Sequence, residues 1–409
     1  SGAKLRGAKL ARGILSGAKL AGADLSDRDL EMTAMDTADL SGADFSGSTL
    51  RMANLDRANL AGANFTRAHL FLVRLGDSNL KGVVLTKATL RRVGFDKADL
   101  RALPLRGMTL LRCSFQSANL AGMDLSGCDL SGADFAKADL TGTSMRGAVL
   151  EEASFREASM KTADLRDAKA RGTYFGDADL EGAKLAKATL GGANFERATL
   201  SSADLSGVDL RHGYLGEVKA TGALFSGANL TDASFEGAFL EAADFTGANV
   251  DGACFDGASL SEADFSEARG ERALFRGAKG EGTIFAEGNW TGACFDECSL
   301  SAADFTRAKL DGASFVKASM PDVQLYDAAG TKVSFEEANL PDARCDGALL
   351  PHANFRKVVA PSSIWEKAKL EDASFLGATL TGAGFVPVSY THLRAHETKA
   401  NLVCRLLLE

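Results

Sequence analysis

The sequence predicts an all-β chain that turns a corner every five residues and stacks its turns into one continuous array. Three observations carry this reading. Leu or Phe, with a few Met and Val, stands at almost every residue number that is a multiple of five, from Leu5 to Phe385, without an insertion or deletion. The residue two before each of these centres is mostly Ala. The three remaining positions are filled by Gly, Ser, Thr, Asp, Asn and charged residues. Residues 1–385 divided by five give 77 units.

A period of five fits neither regular element. A helix repeating at 3.6 would spread such centres around its circumference, and a flat strand would send alternate centres to opposite faces. A chain that bends once per unit points every centre inward. Stacked turns about 4.8 Å apart then satisfy one another's backbone groups. The Ala two before each centre also faces inward, where only a small side chain fits beside a large one. Gly, Ser, Thr, Asp and Asn suit the bends. No unit buries its apolar pair alone, so stability requires the stack.

Units such as "ANLDR" (Ala53–Arg57), "ADLSG" (Ala203–Gly207), "ANLTD" (Ala228–Asp232) and "ADFTG" (Ala243–Gly247) carry a resemblance. The sequence is similar to the pentapeptide repeat family, whose pattern is written A(D/N)LXX, over residues 1 to about 385. The resemblance implies a right-handed quadrilateral parallel β-helix, a pentapeptide repeat solenoid, with four units per coil. On that basis the 77 units make about 19 coils. The distribution of Phe points the same way. Of 24 Phe, 22 occupy odd multiples of five, and only Phe71 and Phe239 lie outside the centres. Four sides would therefore place Phe on two opposed walls and Leu on the other two.

Departures from the pattern are few. Small residues replace the centre at Ala170, Ala220, Gly270, Gly280, Gly330, Cys345 and Ala360, and large ones at Trp290 and Trp365. Every odd centre from Phe225 to Phe315 is Phe, and Gly270 and Gly280 fall in that run. Aromatic bulk on two walls is expected to compensate for side chains missing from a third. Arg28, Leu103, Met108 and Met123 are large where Ala is usual, and Pro104, Pro321, Pro341, Pro351 and Pro361 mark altered corners.

The repeat is in register at residue 1, which suggests an uncapped first coil and a piece of a larger bacterial protein. The pattern stops after Phe385, and residues 386–409 read as a separate tail, disordered or a short helix. Residues 387–409 resemble translated sequencing-adapter DNA, a segment not selected to close the array. Uncapped coils favour end-to-end self-association. Within the tail, His392 and His396 do not form an HExxH frame, because Ala400 occupies the second His position.

Catalytic chemistry is not expected, and no catalytic, cofactor-binding or metal-ligating residues are assigned. His69, His212 and His352 are isolated outward positions, and the many Gly never form GxxxxGK[ST]. The seven cysteines show no CxxC pair, and Cys294 and Cys298 should diverge. A reducing compartment, and so the cytoplasm, is the simpler expectation. No apolar run is long enough for a membrane span.

What remains is surface. The net charge is −8, but residues 81–120 hold eight basic and two acidic residues, and residues 221–300 hold four basic and fourteen acidic. Asp24, Asp44, Asp124, Asp164, Asp204, Asp244, Asp264 and Asp304 recur in register, as an acidic row or as the family's consensus. The expected function is a rigid scaffold or protein-interaction module contacting an unidentified protein partner through acidic residues 232–297. Two alternatives are an acidic DNA mimic that binds DNA gyrase or another DNA-binding protein, and the carrier portion of a secreted effector. Direct nucleic-acid binding is disfavoured by the overall charge.

Overall fold

The local bend explains the period. In most units the N–H three residues after a centre donates back to the centre's carbonyl, as from Ala43 to Leu40 at 3.0 Å and from Ala63 to Leu60 at 2.9 Å. The residue two after the centre adopts positive φ. It is Gly at many units, including Gly42 and Gly62, but a charged or polar residue at others, including Arg57 and Glu262. A non-Gly residue there costs about 1–2 kcal/mol, against which Gly loses roughly 0.5–1 kcal/mol in chain entropy. Ala242, at φ 53°, has no polar side chain to offset that cost. Ala242→Gly is therefore expected to stabilise the protein by about 0.5–1 kcal/mol, readable as a higher urea midpoint.

In the unit starting at Asp44 all five N–H groups find acceptors. Asp44 donates to Ala23 at 3.0 Å, Phe45 to Asn64 at 2.7 Å, Gly47 to Thr66 at 2.9 Å and Ser48 to Phe45 at 3.1 Å. The fifth donor, Ser46 N–H, is taken by Asp44 Oδ1 at 3.0 Å. Asp or Asn before a centre thus completes the backbone accounting of its own bend. Where that residue is absent, an Asp twenty residues earlier substitutes, as Asp56 does for Gly76 at 2.9 Å and Asp296 for Val316 at 2.9 Å.

This computed structural model describes Leu5 and residues 8–385. Expectations about the tail, residues 386–409, and about the association of chain ends lie outside the described residues. The chain divides into two compact units, Ser1–Thr199 and Leu200–Glu409. In each, parallel bridges join residues twenty apart, as in Asp24–Asp44 of the first and Asp244–Asp264 of the second.

The expected right-handed quadrilateral parallel β-helix of about 19 coils requires correction. Among the described residues there are five strands of three residues each: β1 (Thr49–Arg51), β2 (His69–Phe71), β3 (Thr89–Arg91), β4 (Lys279–Glu281) and β5 (Ser299–Ser301). They form one sheet in the order β1-β2-β3 and a second of β4 and β5, all parallel, and neither sheet closes. Elsewhere the pairing is confined to single-residue bridges between turns. The reason is local. The bend consumes most of each unit and leaves one residue free to pair, so extended stretches of adjacent residues rarely form.

Centres and the small residues before them make the core of each unit. Leu25, Phe45, Leu60 and Phe155 in the first and Phe225, Leu240, Phe265 and Phe315 in the second are fully buried. Phe rings twenty apart stack face to face, with centroids 4.5 Å apart for Phe245 and Phe265. Rings ten apart meet edge to face, at 5.7 Å for Phe265 and Phe275.

Gly270 is filled in a way the sequence reading did not anticipate. A side chain there would strike the Trp290 ring, which stands twenty residues on, and Val250 Cγ2 at 3.1 Å. Trp290 is fully buried, and its Nε1 donates to the Phe285 carbonyl at 2.9 Å. The missing volume is supplied along the same row as well as by the Phe rings that surround the indole edge to face.

Candidate functional site

The repeat leaves few places where anything other than packing is decided. The eight aspartates of the recurring row are tied into their own bends. Asp244, Asp264 and Asp304 each accept the N–H two residues on at 2.8 Å, and Asp24, Asp124, Asp164 and Asp204 do the same at 2.9–3.2 Å. Each carboxylate completes a turn.

The acidic region 232–297 keeps other carboxylates at its bends. Glu236, Glu262, Glu267, Glu281 and Glu297 are exposed and form no ion pair among the described residues. Glu241, Glu262 and Glu281 share one corner on successive rungs, the Glu262 N–H donating to the Glu281 carbonyl at 2.8 Å. Others are occupied, as in Asp251 with Arg269 at 2.6 Å and Glu287 with Arg307 at 2.7 Å.

The histidines lie on the outside and apart. His69 Nδ1 is 3.0 Å from Thr89 Oγ1. His212 and His352 take positive-φ positions and face Asp232 at 3.7 Å and Asp372 at 3.6 Å. Cys298 points inward and is buried, whereas Cys294 is half-buried, and the six cysteines within the described residues are free thiols. Burial pushes the Cys113 thiol up to about 11 and the Cys298 thiol up to about 12, so neither is a thiolate near neutrality.

One irregularity lies within the first unit. One rung earlier the pairing is complete, with Leu60, Gly62, Phe65 and Arg67 donating to Asn79, Lys81, Val84 and Thr86 at 2.8–2.9 Å. The next set of donors, Leu80, Gly82, Leu85, Lys87 and Leu90, finds no backbone acceptor among the described residues. Of the four positions where these two rungs should be bridged, only Gly94–Ser114 is. Three neighbouring residues account for this. Pro104 has no N–H to give, and Leu103 and Met108 occupy positions shaped for Ala. Leu105 N–H turns back to Leu103 at 3.1 Å instead of continuing the ladder.

The result is a cleft of about 600 Å³ between residues 85–91 and Pro104, Met108, Thr109 and Leu111. A smaller recess of about 380 Å³ lies between residues 78–81 and 99–102. Core residues feel the opening: Leu85 and Leu103 are each 6% exposed, while Leu60 and Leu125 are fully covered. Around it Lys81, Lys87, Arg91 and Arg112 are exposed and form no ion pair among the described residues, whereas Arg101 is held by Asp99 at 2.7 Å and Arg106 by Asp124 at 3.4 Å. The sequence signalled this place through Pro104, Leu103 and Met108, and through the basic bias of 81–120. It gave no sign that these combine into a cleft.

Bends, bridges and an apolar interior repeated every five residues define a repeat protein. The family model described as Pentapeptide repeats (8 copies) matches residues 1–31, 38–77, 68–102, 113–151, 133–169, 143–182, 178–213, 223–261, 253–289, 289–321 and 298–329, and the chain belongs to that family. It is a non-enzymatic protein with a protein-interacting role. The interval 103–112, which no match covers, contains the residues that open the ladder.

Similar solved structures include HetL, a pentapeptide repeat protein involved in heterocyst differentiation regulation from the cyanobacterium Nostoc. It is 24% identical over 61% of this chain and 92% of that chain, with a TM-score of 0.23. Rfr23 from the cyanobacterium Cyanothece is 33% identical over 18% of this chain and 51% of that chain, at 0.18. Full-length QnrB1, a plasmid-mediated fluoroquinolone resistance protein, is 16% identical over 56% of this chain and 93% of that chain, at 0.26. TM-scores this low carry nothing about function, and family membership rests on the sequence match. Comparison with curated proteins returns no match. Among the described residues, no helix is long and apolar enough to cross a membrane, and no group of three or more His, Cys, Asp or Glu could hold a metal ion.

Proposed function

We propose that the chain is a rigid scaffold that presents the acidic corners of residues 232–297 to a protein partner. The observation that supports this most directly is the set of exposed carboxylates, Glu236, Glu262, Glu267, Glu281 and Glu297, which neither complete a bend nor pair with a base. They sit on a ladder whose interior is fully buried, so their spacing is held by packing. Such charge steers an oppositely charged surface and costs self-repulsion when nothing meets it.

A test is affinity capture with the native chain and with a variant carrying Gln at those five positions, the retained proteins being compared by mass. A basic protein held by the native chain and released by the variant supports the reading. Identical capture by both overturns it. The acidity of 221–300, fourteen acidic against four basic residues, also favours a second reading, that the surface stands in for DNA before a DNA-binding enzyme such as gyrase. Supercoiling by purified gyrase in the presence of micromolar protein separates the two, since only the second requires inhibition.

A further inference from the structure

The open rung of the first unit combines three properties. It has backbone donors without acceptors, at Leu80, Gly82, Leu85, Lys87 and Leu90. It has an apolar lining, in Leu85, Leu90, Met108 and Leu111. Its rim is basic, at Lys81, Lys87 and Arg91, with no carboxylate paired to these three.

Each property narrows the occupant. Leu80, Leu85 and Leu90 are buried, so their unmet donors are costly, and Leu85 and Leu90 line the cleft, where the carbonyls of a peptide can meet them. A cleft of about 600 Å³ suits a few residues of peptide. Apolar side chains of that peptide would meet Leu90 and Met108, and its outward side chains would meet the basic rim. The local charge selects acids at those positions. Residues 81–120 carry net +6, eight basic against two acidic, within a chain of net −8. One of the two acids, Asp99, is spent on Arg101.

We propose that this open rung is a binding site for an acidic peptide segment of a protein partner, which meets the amides of Leu85 and Leu90 with its carbonyls and sets its carboxylates against Lys81, Lys87 and Arg91. The site is separate in sequence and opposite in charge to the surface proposed above, so either can fail without the other.

The probe is a fluorescein-labelled ten-residue peptide alternating valine and glutamate. A valine–lysine counterpart and a single-stranded oligothymidylate serve as controls. Anisotropy should show saturable micromolar binding of the acidic peptide alone, weakening as salt rises above about 0.1 M. Lys87→Glu with Arg91→Glu should weaken it by about tenfold or more. In hydrogen exchange, the amides of Leu85, Lys87 and Leu90 should exchange fast in the free protein and slow on binding. A second variant, Leu103→Ala with Pro104→Asp and Met108→Ala, restores the family pattern and should close the rung, raise the melting temperature and abolish binding. The proposal is overturned if the acidic peptide does not saturate, if the charge reversal leaves its affinity unchanged, if oligothymidylate binds more tightly, or if the closed variant binds as well as the native chain.

Discussion

Phe265→Asp is expected to unfold the middle of the second unit. Phe265 is fully buried, stacked between Phe245 at 4.5 Å and Phe285 at 5.3 Å, with Phe255, Phe275 and Trp290 meeting it edge to face. Removing a buried Phe costs about 3–5 kcal/mol through lost transfer and the cavity left behind. A carboxylate in the same place must then be desolvated or protonated, which adds several kcal/mol. The sum is on the order of the whole stability of an ordinary domain. In a repeat array the damage spreads first to neighbouring rungs, so limited proteolysis should cut near residues 245–305 before it cuts elsewhere. Phe265→Leu is the control, with a loss of about 1–1.5 kcal/mol. A melting curve unchanged by the Asp variant would mean that the aromatic stack does not hold the second unit together.

The pair Gly270 and Trp290 offers a sharper test, because each residue makes sense only through the other. Gly270→Leu should drive a side chain into the indole and Val250, and Trp290→Leu should leave the space over Gly270 empty and remove the donor to the Phe285 carbonyl. Each alone is expected to cost about 2–4 kcal/mol. Made together, the two changes restore the Leu-on-Leu stacking found along other rows. The double variant should lose at least about 2 kcal/mol less than the sum of the singles. Urea titrations of the four proteins close the cycle. Additive losses would show that the two sites are independent.

Much of this organisation was legible in the sequence because side-chain size at every fifth position reports directly on what faces inward. The inward row, its small partner and the turn positions follow from that alone. The backbone path did not. A period of five is compatible with a continuous wound sheet, and only the hydrogen bonds show that the bend leaves single bridges in place of long strands. The aspartates before the centres admitted two readings because the sequence does not reveal which donor a carboxylate meets. The structure assigns Asp44 to Ser46 and Asp264 to Ser266. Trp290 was legible as an oddity, yet its partner Gly270 emerged only when residues twenty apart became neighbours. The open rung was hardest to foresee. Pro104, Leu103 and Met108 each look tolerable, and their effect is the joint loss of several bonds that no one residue controls.

That loss bears on how the first unit folds and melts. Backbone bonds between rungs join residues about twenty apart, as in Leu40 to Asn59 and Leu120 to Asp139, so the loop to be closed does not lengthen as the chain grows. Cooperativity in such a chain passes from each rung to the next, as in a one-dimensional lattice, and is only as strong as its weakest neighbour coupling. Between the rung beginning at Asn79 and the rung beginning at Asp99, that coupling is reduced to the Gly94–Ser114 bridge and the few bonds beside it. The residues before and after are therefore expected to unfold as two blocks, with the rung between them opening first, which hydrogen exchange along residues 80–110 would read.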